Sequence, residues 1–169
     1  MSETYYVKTF GGLEITNDNV TVNIVELFGK QLVNLLQVLL FHSEKPVQKD
    51  ELIDILWPES KNPSSALKFS IFRLRSELNE IDFFKDKEVI VTTRKGYILN
   101  PNLDWNIDFV ELQKAYNQIN EGAELLDEKE FKIARKIFRL YQGRFYASPS
   151  QLHWILQNKK YLDKCMLKQ

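Results

Sequence analysis

A single cysteine, Cys165, excludes an internal disulfide and suits a reducing compartment. Long apolar runs are missing too. The greasiest stretch, residues 32–41, is about half of the ~20 residues that a bilayer span needs, and it reads as a buried helix. Residues 1–8 are mostly polar and no signal-peptide core follows them, so the expected setting is cytoplasmic, with no membrane attachment. The two histidines, His42 and His153, lie far apart, and no CxxC, HExxH or paired-histidine spacing occurs. No metal and no cofactor is therefore expected. GxSxG, Walker and GxGxxG patterns are absent, and Gly11-Gly12 is only a strand break. The acids are scattered over solvated helix faces and offer no carboxylate pair for acid–base work. Catalytic residues are not expected, and neither is an enzyme.

An excess of charge is also lacking. The chain carries 23 basic and 23 acidic residues, a formal net charge of zero, which argues against strong nonspecific attachment to a polyanion. Any positive footprint must be local, from Lys61, Lys68, Arg73, Arg75, Arg94 and Lys95. What the chain does have is a core: 44% of its 169 residues are hydrophobic and 12% aromatic, enough for one domain or two small ones.

Residues 64–79, SSALKFSIFRLRSELN, organise the rest. Leu67, Ile71, Leu74 and Leu78 fall at i, i+4, i+7 and i+11, one narrow apolar stripe on a helix. Pro63 favours a helix start, and Ser64 or Ser65 can cap it. The far side shows Ser65, Phe69, Phe72, Arg73 and Ser76, flanked by Lys68 and Arg75, with no acid before Glu77. A solvated helix face normally mixes charge signs. One that docks apolar and offers cations, hydroxyls and aromatics suits an anionic partner, as a major-groove recognition helix does.

Upstream, residues 4–9, 13–15 and 20–22 read as short strands of an antiparallel sheet, broken by Gly11-Gly12 and Asn17-Asp18-Asn19. Gly29 opens a helix to about His42, and residues 49–57 form a shorter one, stopped by Pro58. A loop over residues 59–63 completes the order a helix-turn-helix core needs. Downstream, two β-rich runs flank Arg94-Lys95-Gly96, a hairpin placed as a wing over residues 89–99 with two cations at its tip. From Asp104 helical periodicity takes over: Phe109 to Ile119, Phe131 to Tyr141, and a last helix over about 149–167 with Trp154. The expected boundary gives domains 1–103 and 104–169.

In order and spacing, Phe10-Gly11-Gly12-Leu13-Glu14-Ile15, Glu51-Leu52-Ile53-Asp54-Ile55-Leu56-Trp57-Pro58, Arg73-Leu74-Arg75 and Gly96-Tyr97-Ile98-Leu99 resemble the OmpR/PhoB-type winged helix. The closest likeness is to the version in SARP-type bacterial transcriptional activators. Asp108-Phe109, Leu140-Tyr141-Gln142-Gly143-Arg144-Phe145 and Trp154 resemble the start of the TPR-like bacterial transcriptional activation domain that follows it there. The resemblance implies an α+β winged helix followed by an all-α interaction domain. Its N-terminal antiparallel sheet, three-helix helix-turn-helix core and C-terminal wing would serve sequence-specific binding to double-stranded DNA. It also implies a homodimer or tandem binding on direct repeats, and contact with RNA polymerase. Arg73 matches the arginine facing the major groove, Arg75 one nearer a phosphate, and Arg94 the wing arginine. Phe69 and Phe72 depart from the family, where these positions are more often polar or basic. The wing tip is short, and against the resemblance the residues given are expected to hold only the start of the activation domain and no receiver domain.

The candidate DNA contacts are thus Ser65, Lys68, Phe69, Phe72, Arg73, Arg75, Arg94 and Lys95. The bland alternatives are surface arginines paired with Glu77 or Glu80, and solubility charges at the hairpin tip. Phe69 and Phe72 admit three readings: thymine methyls, packing against the wing or the loop after Trp57, or a protein-contact patch. The competing function is a scaffold that has kept a winged helix and lost DNA. Trp57, Trp154 and Tyr97 read as structural anchors.

Overall fold

The computed structural model describes residues 3–9 and 12–111. The helices expected beyond residue 111, with Trp154, His153 and Cys165, lie outside them.

Strands β1 (Thr4–Lys8), β2 (Glu14–Asn17) and β3 (Val20–Asn23) form a meander. In it Val7 stands opposite Ile15, and Ile15 opposite Val22. Alternation decides the faces: Tyr5, Val7 and Ile15 are buried while Tyr6 between them is exposed. Asp18 takes the left-handed conformation at φ 52° in the β2–β3 turn, a position that Asp tolerates through local hydrogen bonding.

A one-turn helix α1 (Ile24–Leu27) follows, its Glu26 amide donating to the Asn23 side chain at 3.3 Å. Helix α2 (Lys30–Phe41) is buried over nearly its whole length after the first turn. Helix α3 (Lys49–Leu56) has Asp50 and Glu51 in its first turn, where the helix dipole favours them, and buries Leu52 and Leu56. Helix α4 (Pro63–Asn79) packs on both α2 and α3 through Leu67, Ile71, Leu74 and Leu78, none more than 2% exposed. Pro63 sits at its first position behind Asn62, so neither Ser64 nor Ser65 is the cap, and no side chain caps this end. A 3-10 turn (Asp82–Phe84) leads to the hairpin β4 (Ile90–Thr93) and β5 (Gly96–Leu99).

The sheet differs from the expected antiparallel one at its edge. Strand β6 (Asp104–Ile107) joins β1 in parallel, Tyr5 beside Trp105 and Val7 beside Ile107, giving the order β3-β2-β1-β6. The boundary expected at residue 103 therefore falls before a strand that completes the first domain's sheet. Beyond it, Asp108 accepts from the Thr9 amide at 2.9 Å and the Thr9 hydroxyl at 2.5 Å. Phe109 is 1% exposed, its ring 4.3 Å from that of Phe41. Asp108 and Phe109, read as part of the start of a second domain, are thus anchored in the first.

Tyr5 stacks its ring on Phe84 and Trp105, at 4.8 and 5.3 Å between centroids. Its hydroxyl lies beside Lys87, which also pairs with Glu3. That hydrogen bond holds the Glu3 carboxyl below its usual range, and burial pushes the Tyr5 phenol up. Burial likewise holds the His42 imidazole below its ordinary 6.5, only partly offset by the Glu51 carboxylate.

Phe109→Ala should cost about 3–5 kcal/mol in urea unfolding, the usual loss for a buried ring; a near-neutral result would show that residues beyond 103 add nothing to this domain. His42 is a base with a depressed folded pKa, so the unfolded chain binds the extra proton. Stability is therefore full above 6.5 and falls as pH drops through that value toward the lower folded pKa. Thermal melts from about pH 7.5 to 5.5 should show this slope reduced in His42→Gln.

Candidate nucleic-acid interface

The rotation of α4 about its axis is set by its buried stripe, and the opposite arc is what it offers. At about 100° per residue, Ser65, Phe69, Phe72 and Ser76 share an arc of about 60°. All four are exposed. Lys68 and Arg75 flank this arc on one side and Arg73 on the other. Phe69 is 62% and Phe72 71% exposed, which removes the reading in which these rings are buried against the wing or the loop after Trp57.

Arg73 leans over the Phe69 ring, its guanidinium carbon 6.0 Å from the centroid. It also faces Glu77 one turn on, at 3.7 Å. An exposed i,i+4 pair of this kind contributes about 0.3–0.5 kcal/mol and is readily exchanged for a stronger anion. Arg73 thus remains available, with half its side chain accessible (51%).

Arg75 is placed differently from the phosphate contact that the resemblance implies. Its Nε and Nη2 donate to the Ile90 carbonyl at 3.2 and 3.1 Å, and Nη2 donates to the Thr92 hydroxyl at 2.7 Å. These bonds clamp α4 to the first wing strand. Four residues further along α4, the Asn79 side chain accepts from the Asp86 amide at 2.9 Å. The chain from Asp86 to Ile90 therefore runs antiparallel to α4. An open groove lies between Phe72, Arg75, Ser76 and Asn79 on one side and residues 86–89 on the other.

The wing tip is a two-residue loop, Arg94-Lys95, with Thr93 paired to Gly96. The Thr93 hydroxyl accepts from the amides of Lys95 and Gly96, both at 3.1 Å, and shapes the turn. Both cations are exposed. Gly96 has φ 142°, and a Cβ there would meet the Val47 carbonyl oxygen at 1.9 Å. The close approach is needed because Val47 and Tyr97 exchange backbone hydrogen bonds at 2.8 and 3.0 Å, fastening the hairpin close to its tip to the chain ahead of α3.

Of the candidate residues, Ser65, Lys68, Phe69, Phe72 and Arg73 thus come together on α4, Arg75 joins helix to wing, and Arg94 and Lys95 sit at the wing tip. Sequence reasoning missed Thr92, Thr93 and Asn79, which hold this geometry. Thr93 carried a signal, a hydroxyl three residues before a hairpin glycine; the partners of Thr92 and Asn79 are set by tertiary packing. Among the described residues no group of three His, Cys, Asp or Glu side chains could hold a metal ion. No helix among them is long and apolar enough to cross a membrane.

Residues 23–99 match the family described as "Transcriptional regulatory protein, C terminal". No curated protein matches the chain. Among solved structures, Mycobacterium tuberculosis EmbR in complex with a low-affinity phosphopeptide superimposes with TM-score 0.63 at 19% identity. That match covers 96% of this chain and 42% of EmbR, so the chain spans well under half of EmbR's length. The likeness shows a shared fold. The DNA-binding domain of E. coli CadC aligns at 25% identity with TM-score 0.42, over 58% of this chain and 92% of that one.

Replacing Arg75 by Met, which keeps the aliphatic stem and removes the donors, should lower stability by about 1–2 kcal/mol in denaturant unfolding. Hydrogen exchange should quicken first across β4 and β5; uniform quickening over the whole domain would contradict a local clamp.

Proposed function

We propose that the chain, whose residues 23–99 match the family of C-terminal domains of transcriptional regulatory proteins, regulates transcription by sequence-specific binding to double-stranded DNA. The observation that carries the reading is the exposed face of α4, where Lys68 and Arg73 border Ser65, Phe69 and Phe72, opposite a fully buried stripe. In this reading α4 enters the major groove, with Arg73 at a base edge and Lys68 on the backbone. Arg94 and Lys95 touch the backbone or the adjacent minor groove. Arg75 acts by holding helix and wing in one register.

The chain is electrically neutral overall, so few phosphates are engaged per copy and one copy binds weakly. Paired binding, as a homodimer or on tandem sites, raises the effective affinity. The region after the winged helix serves as an interaction domain, with RNA polymerase as its partner, and the setting is cytoplasmic.

In mobility-shift titrations on selected duplex sites, about three phosphate contacts per copy predict an affinity loss of about fortyfold between 50 and 200 mM salt. Arg73→Ala should cost about 1–3 kcal/mol and relax preference at one position. Absence of any duplex binding at low salt would favour the scaffold instead.

A further inference from the structure

Phe69 and Phe72 are, among the described residues, the two most exposed large apolar side chains. They occupy the middle of the face that α4 turns outward, and cations border them: Lys68 and Arg75 on one flank, Arg73 on the other. We propose that Phe69 and Phe72 are specificity-determining residues that read the C5-methyl groups of thymines in the major groove. The proposal rests on the DNA-binding reading above and deepens it.

Chemistry narrows the target. Base edges in the major groove present hydrogen-bond donors and acceptors, and the thymine methyl is the apolar exception. A phenyl ring laid over any other edge covers polar groups that then lose water and gain no partner, which is unfavourable. Against a methyl the same ring removes apolar surface from water on both sides. The rings are one turn apart, at i and i+3, so they meet different base steps along the groove. Of the flanking cations, Lys68 meets the groove's phosphate-lined wall, Arg73 reaches a base edge, and Arg75 stays bonded to the wing.

The size and edging of the patch disfavour a protein partner. Each ring offers at most about 200 Å². Two of them fall well short of the ~800 Å² that each side of a stable protein interface commonly buries. The cation-bordered ridge is suited to an anionic groove with small apolar targets.

The test uses the full chain and the duplex sites it selects from random-sequence DNA. Each thymine of a selected site is replaced in turn by deoxyuridine, which removes the methyl alone. At one or two positions affinity should fall about three- to fivefold, as expected for burial of a single methyl group. A Phe69→Ser, Phe72→Ser double variant, altered only at exposed positions, should stay folded by thermal melting and bind both duplexes equally. A flat uracil scan in the wild-type chain, with duplex binding intact, overturns the thymine reading and leaves DNA binding standing. Discrimination that survives in the double variant overturns it as well. A double variant that changes oligomeric state while its uracil response is unaltered assigns the rings to protein contact and overturns it. Loss of all duplex binding by the wild-type chain overturns this inference together with the function it rests on.

Discussion

The docking of Leu67, Ile71, Leu74 and Leu78 onto α2 and α3 decides what α4 can show to a partner. A helix can be rotated only about its axis, and these four side chains, at 2% exposure or less, fix that rotation. Each buried leucine or isoleucine is worth about 1.5–3 kcal/mol. A turn of one residue, about 100°, would expose this stripe and drive a charged flank toward the core, where an unpaired charge is costly. The identity of the outward arc is therefore a consequence of core packing. α2 makes this possible by being apolar nearly all round, with Leu35, Leu36, Val38 and Leu39 essentially inaccessible between the sheet and the other helices.

On the DNA-binding reading, a surface made of α4 and the wing needs the two held at a fixed offset, and several bonds hold them so. Arg75 grips Ile90 and Thr92, Asn79 holds the start of the approach at Asp86, and the Val47–Tyr97 bridge secures the hairpin from its other strand. These ties come from opposite sides of the wing, so it can neither swing away from α4 nor slide along it without breaking several hydrogen bonds together. Gly96 belongs to the same constraint, because the backbone of residue 47 passes too close for any side chain. The Thr93 hydroxyl then completes a tip only two residues long, which keeps Arg94 and Lys95 near a rigid base.

Local patterns made much of this legible before the structure. The stripe in α4, the acidic first turn of α3 and the Thr-Thr-Arg-Lys-Gly tip are all written in adjacent residues, and each element formed within a residue or two of its expected place. What escaped was non-local. β6 is four residues, Asp-Trp-Asn-Ile, whose alternation is too short to stand out, and its parallel partner lies about a hundred residues earlier, with no turn to announce the pairing. α1 is a single turn, too short for a period to register. Local sequence offers Arg75 a phosphate or the nearby Glu77 and Glu80, whereas its acceptors are a carbonyl and a hydroxyl 15 and 17 residues away. The start of α4 was misread by one residue because Pro63 takes the first helical position and leaves Asn62 outside it.

Charge neutrality and the aromatic face bear on each other. Phosphate contacts supply affinity without sequence information, and a chain with 23 charges of each sign has few cations to spare for them. On the DNA-binding reading, the sequence-independent part of the binding energy is then small. A larger share of the discrimination must come from base edges. A basic residue at the centre of the face would add affinity for every sequence alike, whereas a ring is favourable over one kind of edge and unfavourable over the rest. Placing cations at the rim and phenyl rings in the middle lowers the affinity of a single copy but widens the gap between right and wrong sites. Two copies on adjacent sites would restore the affinity and apply the same selection twice.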